Sequence, residues 1–239
     1  MVIWWLLFGV ASLVLIGALM VGWEALRGAP ARTEPRARVG AAAGLYLLNQ
    51  GLIAPLLAVG LATIGTLVHP EKRATSPGIT EIAVGFVTFE AVTYLLHRLA
   101  HRIPLLFRLH RVHHDGDDLG WIDAFRQHPI EFAMFQGLGN LPAVILFGPL
   151  GHVSLWLNIG LRLWTAWLHA RGPVELGALE HVLTSPAMHH LHHRKRRPGE
   201  DRSTSPTCNY GGILSVFDWL GGTVIRRAQP AAADDRVAT

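Results

Sequence analysis

His97-Arg98-Leu99-Ala100-His101, followed by His110-Arg111-Val112-His113-His114, is the stretch on which the reading of this chain turns, and His189-His190-Leu191-His192-His193 answers it about eighty residues later. Positions i, i+3 and i+4 of a helix share a face. His97 and His101 therefore point one way, as do His110, His113 and His114, and again His189, His192 and His193. Imidazole is the commonest metal ligand among side chains, and in its neutral form it costs less to bury than a carboxylate. Eight imidazoles on three helical faces are too many for one ion of ordinary coordination number, so they imply two metals held close together. For any one histidine the solvated surface of an Arg-rich loop would be the simpler account. Three repeats of one spacing weigh against it.

Outward from these clusters the chain is apolar. Half of its 239 residues are hydrophobic and only 16% are charged, with a positive mean hydropathy. That is the composition of a membrane protein rather than of a soluble enzyme. The formal charge of +4 comes from arginines grouped in loops. Apolar spans separate them, which argues against a nucleic-acid partner and fits cytoplasmic segments flanking a membrane. Cys208 is the single cysteine, which excludes an intrachain disulfide and a Cys-based zinc site. There is no internal repeat, and no Gly-rich motif that would bind a nucleotide cofactor.

Residues 2–22 form a first span without an internal charge. With no positive segment before it and no small-residue cleavage site after it, it reads as a retained transmembrane helix rather than a signal peptide. Arg27, Arg32, Arg36 and Arg38 place the loop 24–38 in the cytoplasm. Residues 39–68 exceed one crossing, so the span is tilted, kinked at Pro55 or frayed into the interface. A third span begins near Ile79 and runs into His97, with Glu81 at the interface and Glu90 on nearly the same face as His97. A carboxylate at that depth faces a cavity or a partner, unless the span begins deeper than drawn. Residues 98–128 are too polar for lipid.

The apolar stretch 132–168 is broken at Pro142 and again at 148–152. An odd number of crossings here would separate the histidine clusters across the membrane, so we read a helical hairpin that enters and returns. Its returning arm carries a stripe of Asn158, Arg162, Thr165 and His169, expected to face the bundle interior, with Glu90 and Glu131 both available to pair with Arg162. Arg194-Lys195-Arg196-Arg197 suits anionic headgroups. Asn209-Tyr210-Gly211-Gly212 reads as a turn, Ile213 to Leu220 as a short amphipathic element, and 226–239 as a disordered tail. The expected fold is an all-α integral membrane protein. It is a bundle of four to five membrane helices including the hairpin, under a cytoplasmic histidine-rich helical cap. Residues 1–78 would be N-terminal membrane helices and 79–225 the catalytic domain.

The run from Tyr94 to His114 resembles the first two histidine boxes of the fatty acid hydroxylase/sterol desaturase superfamily. His128-Pro129-Ile130-Glu131 is similar to its H-P-x-E segment, and His189-His190-Leu191-His192-His193 to its final H-x-x-H-H box. Asn209-Tyr210-Gly211-Gly212, Phe217-Asp218 and Gly222-Thr223 are similar to the ending of bacterial members. Two departures stand out: His169-Ala170-Arg171 where the family often has H-x-N, and Trp219-Leu220-Gly221, which lacks an aromatic and an Arg of the usual ending.

The resemblance implies an integral membrane, O2-dependent enzyme that hydroxylates or desaturates a lipid such as a sterol, fatty acyl chain, carotenoid or ether lipid. It implies two Fe ions as cofactor, with Zn as an alternative occupant. Its ligand candidates are His97, His101, His110, His113, His114, His128, His169, His189, His192 and His193. Groups expected to support them from behind are Glu90, Asp118, Asp123, Arg162, His190 and Asn209. His69, His152 and His181 are read as loop or interface histidines. No electron-carrier motif is visible, so a separate ferredoxin-like or cytochrome/reductase donor is implied, with the bacterial inner membrane as location and the site on its cytoplasmic face. A different class remains open on the ligands alone, a non-redox membrane protein that binds or transports Zn or Ni. Transporters, however, place ligands near the midplane rather than at helix ends. Di-zinc hydrolysis would call for bridging carboxylates.

Overall fold

The computed structural model describes residues 2–29, 35–72, 77–115, 119–149, 153–194 and 208–226. Asp118, His152, the basic run 195–197 and nearly all of the expected tail lie outside the described residues, as does the side chain of Asn158. Regular structure among the described residues is helical, apart from one isolated bridge between Leu183 and Leu214.

Helix α1 (Val2–Leu26) has 25 residues, roughly 37 Å at the α-helical rise, which exceeds a bilayer's hydrocarbon core. Helices α2 (Arg36–Leu48) and α3 (Ala54–Val68) form one continuous element, joined by a π-turn at Asn49–Ile53. Pro55 explains the irregularity: it brings no amide N–H and its ring crowds the carbonyl one turn back. The disturbance expected at Pro55 takes the form of this π-turn, in which Asn49, Gln50 and Gly51 are buried. Helix α4 (Ile79–Ala100) starts at Gly78, whose N–H is accepted by Glu81 at 2.6 Å. Helix α5 (Pro104–His114) and helix α8 (Pro186–His192) both start with proline, which supplies a preset φ where no N–H is needed.

Among the described residues four elements are long and apolar enough to cross a membrane: α1, the joined α2–α3, α4 and α6 (Pro129–Phe147). Between 11% and 28% of their most apolar windows is buried within the chain, which leaves most of that surface for lipid. Helix α6 starts beside the histidines, with Glu131 against His110, and helix α7 (Val153–His169) ends there, with His169 against His113, which is the out-and-back course expected of 132–168. The break does not fall at Pro142, because α6 continues through it to Phe147. A membrane helix tolerates the one backbone bond a proline removes. Helix α6 ends instead at a turn through Gly148, with φ of 86°, a conformation open to glycine, and Pro149. A Cβ on Gly65 would lie 2.6 Å from the backbone nitrogen of Pro149, so the far end of α3 packs directly on this turn.

Polar contacts sort the two ends of the bundle. At one end Arg38 pairs with Asp123 at 2.5 Å, and Glu24 accepts the Arg171 N–H at 2.9 Å. At the other, His69 and Lys72 meet the carbonyls of Ile145 and Phe147. The segments around 24–38, 98–128 and 169–194 are therefore gathered at the same end, over a core of Ile16, Met20, Tyr46, Ile122, Phe125 and Ala166.

Candidate metal centre

Among the described residues nine imidazoles meet at that end in two groups. His97, His101, His110, His114 and His192 form one, and His113, His169, His189 and His193 form the other, the ligand atoms of each lying within 4.8 Å of one another. The shared-face expectation holds for the i,i+4 pairs 97/101, 110/114 and 189/193, each of which stays in one group. It fails for His113 and His192, which cross to the opposite group. Consecutive residues are about 100° apart on a helix, so His113 and His114 diverge to either side, as do His192 and His193. The groups touch, for the rings of His114 and His193 stack with centroids 4.2 Å apart.

The hydrogen bonds behind the rings decide which nitrogen faces inward. His97 Nδ1 donates to the Tyr210 carbonyl at 2.8 Å and His192 Nδ1 to the Cys208 carbonyl at 2.7 Å. His169 Nδ1 donates to Thr165 O at 2.7 Å, and His110 Nδ1 meets Glu131 Oε1 at 2.5 Å. A carbonyl only accepts, so Nδ1 of His97, His192 and His169 carries the proton and Nε2 of each neutral ring offers a bare lone pair. Yet Nε2 of His97 lies 3.1 Å from Nε2 of His110, and Nε2 of His169 lies 3.2 Å from those of both His113 and His189. Facing lone pairs at that range repel unless a cation lies between them. Nitrogen ligands around a divalent ion at about 2.1 Å are roughly 3.0 Å apart at right angles and roughly 3.4 Å apart in a tetrahedron. The donor set fits a metal in each group.

Protonation does not compete for these lone pairs near neutrality. Burial, then the neighbouring His113, brings His101 down to about 4. Burial brings His113 to about 4 against the opposing pull of Asp123. His110, His114, His189, His192 and His193 are pushed well below the ordinary histidine range by burial and then by the neighbouring histidines of the cluster. Neutral imidazoles are the form a metal takes.

The remaining expected residues fall into different places. His128 stands in neither group; its Nδ1 accepts the Ile130 N–H at 3.2 Å and so caps α6. Its position just before Pro129 at a helix start explains this. Glu90 touches no metal-facing histidine; its Oε2 accepts the N–H groups of Ile213 and Leu214 at 2.7 and 2.8 Å and clamps the loop whose Tyr210 carbonyl holds His97. Arg162 pairs with neither Glu90 nor Glu131, and donates to Tyr46 and Gln50 instead. Asp123 stands behind His113 and also accepts the Gly120 N–H at 2.9 Å. Asn209, with φ of 54°, ties Met188 O to Ile225. His190 turns away, its Nε2 3.1 Å from the Ala170 carbonyl. His69 and His181 stand in neither group, and His181 stacks on Trp219.

The sequence reading missed several supports. Glu131 was read as part of the H-P-x-E resemblance and as a partner for Arg162, not as the group behind His110, although its place in the first turn after His128 aims it back at the cluster. The Tyr210 and Cys208 carbonyls have no side-chain signature. Asp218, which accepts from Tyr210 N at 2.8 Å and Gly211 N at 2.7 Å, pins the loop that carries them.

A cavity of about 200 Å³ borders His97, His110, His113, His169 and His189. An apolar chamber of about 170 Å³ lies among α3, α4 and α6, lined by Leu57, Leu61, Phe86 and Val144. Phe89, Phe132, Gln136, Leu161 and Arg162 line both, so the two spaces share a wall.

The fatty acid hydroxylase model matches residues 82–223. Among curated proteins, the chain is 28% identical over 198 residues to ornithine lipid hydroxylase OlsE of Rhizobium tropici, covering 79% of this chain and 58% of that protein. It is 29% identical over 130 residues to alkylglycerol monooxygenase of Homo sapiens, covering 54% of this chain and 27% of that protein. With a Delta(7)-sterol 5(6)-desaturase of Gibberella zeae the identity is 28% over 135 residues, 54% of this chain and 37% of that protein. The chain thus spans little more than half the length of the first of these relatives and about a quarter of the second. No solved structure matches it.

Proposed function

This chain belongs to the fatty acid hydroxylase family, and from its site we propose that it is a membrane-embedded, O2-dependent oxidoreductase that hydroxylates or desaturates a lipid. The observation that carries the reading is the wall shared by the histidine cavity and the apolar chamber. A metal store or transporter has no use for an apolar chamber set against its ligand cavity among the membrane helices. Relatives whose printed names are hydroxylase, monooxygenase and desaturase support the same class.

We assign two iron ions to the two histidine groups, where they would supply the redox chemistry with O2 that an unactivated C–H bond demands and that no side chain provides. Everything else is the work of the chain. Glu131, Thr165 and the carbonyls of Tyr210 and Cys208 hold protons on Nδ1 and so keep Nε2 turned inward. Phe89, Phe132 and Phe135 line the cavity and exclude water from the reacting carbon. Leu57, Leu61 and Phe86 receive the rest of the lipid chain. Electrons come from a separate donor, and exposed Arg108 and Arg111 favour an acidic one. We take 79–225 as the catalytic unit, with the helices of 1–78 completing its walls. The histidine end is assigned to the cytoplasmic face of a bacterial inner membrane, on the arginines of the loop 24–38.

The test is a comparative lipid profile of cells with and without the chain, grown with and without O2, with metal analysis of the purified protein alongside. The expected product is a membrane lipid with a new hydroxyl or double bond, formed only with O2 and a reductant. Retained zinc and no O2 uptake with any donor would overturn the assignment in favour of metal binding. Compartment-sensitive reporters fused after Arg102 and after Ala170 should report one side, and reporters on opposite sides would refute a shared site.

A further inference from the structure

The cavity has a polar corner that the histidines do not use. Asn49 stands in the π-turn, is 2% exposed, and lines the cavity. Its Nδ2 donates to the Gln127 carbonyl at 2.9 Å, which settles how the amide is turned. That leaves Oδ1 as a buried acceptor without a hydrogen-bond partner among the described residues. Beside it, Tyr46 and Gln50 receive the Arg162 guanidinium, and Arg162 lines both the cavity and the apolar chamber. Buried polar groups are nearly always satisfied, so an orphaned acceptor wants an explanation. Here it occupies a π-turn, a deformation that recurs at functional sites.

We propose that Asn49 is a specificity-determining residue: its Oδ1 accepts an N–H or O–H from the substrate, which therefore carries a secondary amide or a hydroxyl close to the carbon that is oxidised. The inference rests on the lipid-oxidising reading of the site. A chain lying in the apolar chamber must pass the shared wall at Arg162 to reach the histidines. A polar group at that junction meets Asn49 Oδ1 as acceptor for its hydrogen and the positive field of Arg162 for its oxygen. Amides and hydroxyls offer both features. An ester or an ether has no hydrogen to give and would set its own lone pairs against Oδ1. A site built to accept a hydrogen bond rejects an analogue lacking the donor, because its own buried group is then left unpaired.

The experiment uses the full-length, metal-loaded protein in lipid nanodiscs and three chain-matched probes, a long-chain N-methylamide, the corresponding alcohol and the methyl ester. Competition binding should show the amide or the alcohol held roughly tenfold more tightly than the ester. The tighter of the two identifies which donor the site was shaped for. Asn49→Leu should bring the preference close to one while metal content stays at the wild-type value. Equal affinity of the wild type for all three probes, weak or strong, overturns the proposal, and that comparison needs no variant to fold. A preference that survives Asn49→Leu in metal-loaded protein overturns it as well. Oxidation of the probes with O2 and reductant is scored separately. Preference without oxidation counts against the enzymatic reading and upholds the role of Asn49, whereas oxidation without preference removes Asn49 alone.

Discussion

Replacing Glu131 should weaken one metal group and leave the other intact. Its Oε1 meets His110 Nδ1 at 2.5 Å, with both side chains at most 4% exposed, and among the described residues it is the carboxylate paired with the five-histidine group. Losing the partner behind a metal-bound histidine typically costs about 10- to 100-fold in metal affinity, about 1.4 to 2.7 kcal/mol. Glu131→Gln keeps an acceptor in place and belongs near the lower figure. Glu131→Leu leaves a buried N–H without an acceptor and frees the ring to change tautomer, which points to the upper one. The Thr165 carbonyl behind His169 is untouched by either change, so the four-histidine group should hold its metal. Chelator titration with metal analysis at each point should show two-step release, with only the earlier step moving, further in Leu than in Gln. Identical release curves for all three proteins, or equal weakening of both steps, would refute the assignment of Glu131 as the group that orients His110.

His192→Ala should lose metal and activity together, whereas His128→Ala should keep its metal and lose only a helix cap, about 1 kcal/mol on thermal unfolding; metal loss in the His128 variant would restore it as a ligand. Acid should destabilise the metal-free protein. His101 and His113 at about 4 lie below the ordinary value of 6.5, so between those limits the unfolded chain binds more protons and stability falls as pH falls, with no further gain above the upper limit. Melting temperatures in detergent between about pH 7 and about pH 5 read this directly, and metal retention should fall in the same direction. Gly65→Ala should destabilise the bundle by about 1–3 kcal/mol, because its Cβ would stand 2.6 Å from the backbone nitrogen of Pro149. Gly60→Ala, with nothing within 4 Å, is the control, and equal melting of the two variants would contradict the packing of α3 on the turn.

Local pattern determined a good deal of this protein. Apolar runs of membrane length marked the spans, the repeated i,i+4 histidines marked the site, and the need for the clusters to meet on one side required α6 and α7 to run out and back. Those inferences succeed because hydropathy and helical periodicity act between near neighbours. The tertiary structure decided the rest. Whether His113 joins His110 or His169 depends on how α5 is rotated against α7 and α8, and spacing within one helix carries no record of that. Pro142 looked like a break and Pro55 like a kink, but packing absorbed the first into α6 and turned the second into the π-turn that buries Asn49. The acceptors that hold the imidazoles are the least legible of all. Tyr210 O reaches His97 across 113 residues of chain, and it is a backbone carbonyl, a group every residue has. Only the folded loop, clamped by Glu90 and Asp218, brings that one to the metal-facing ring.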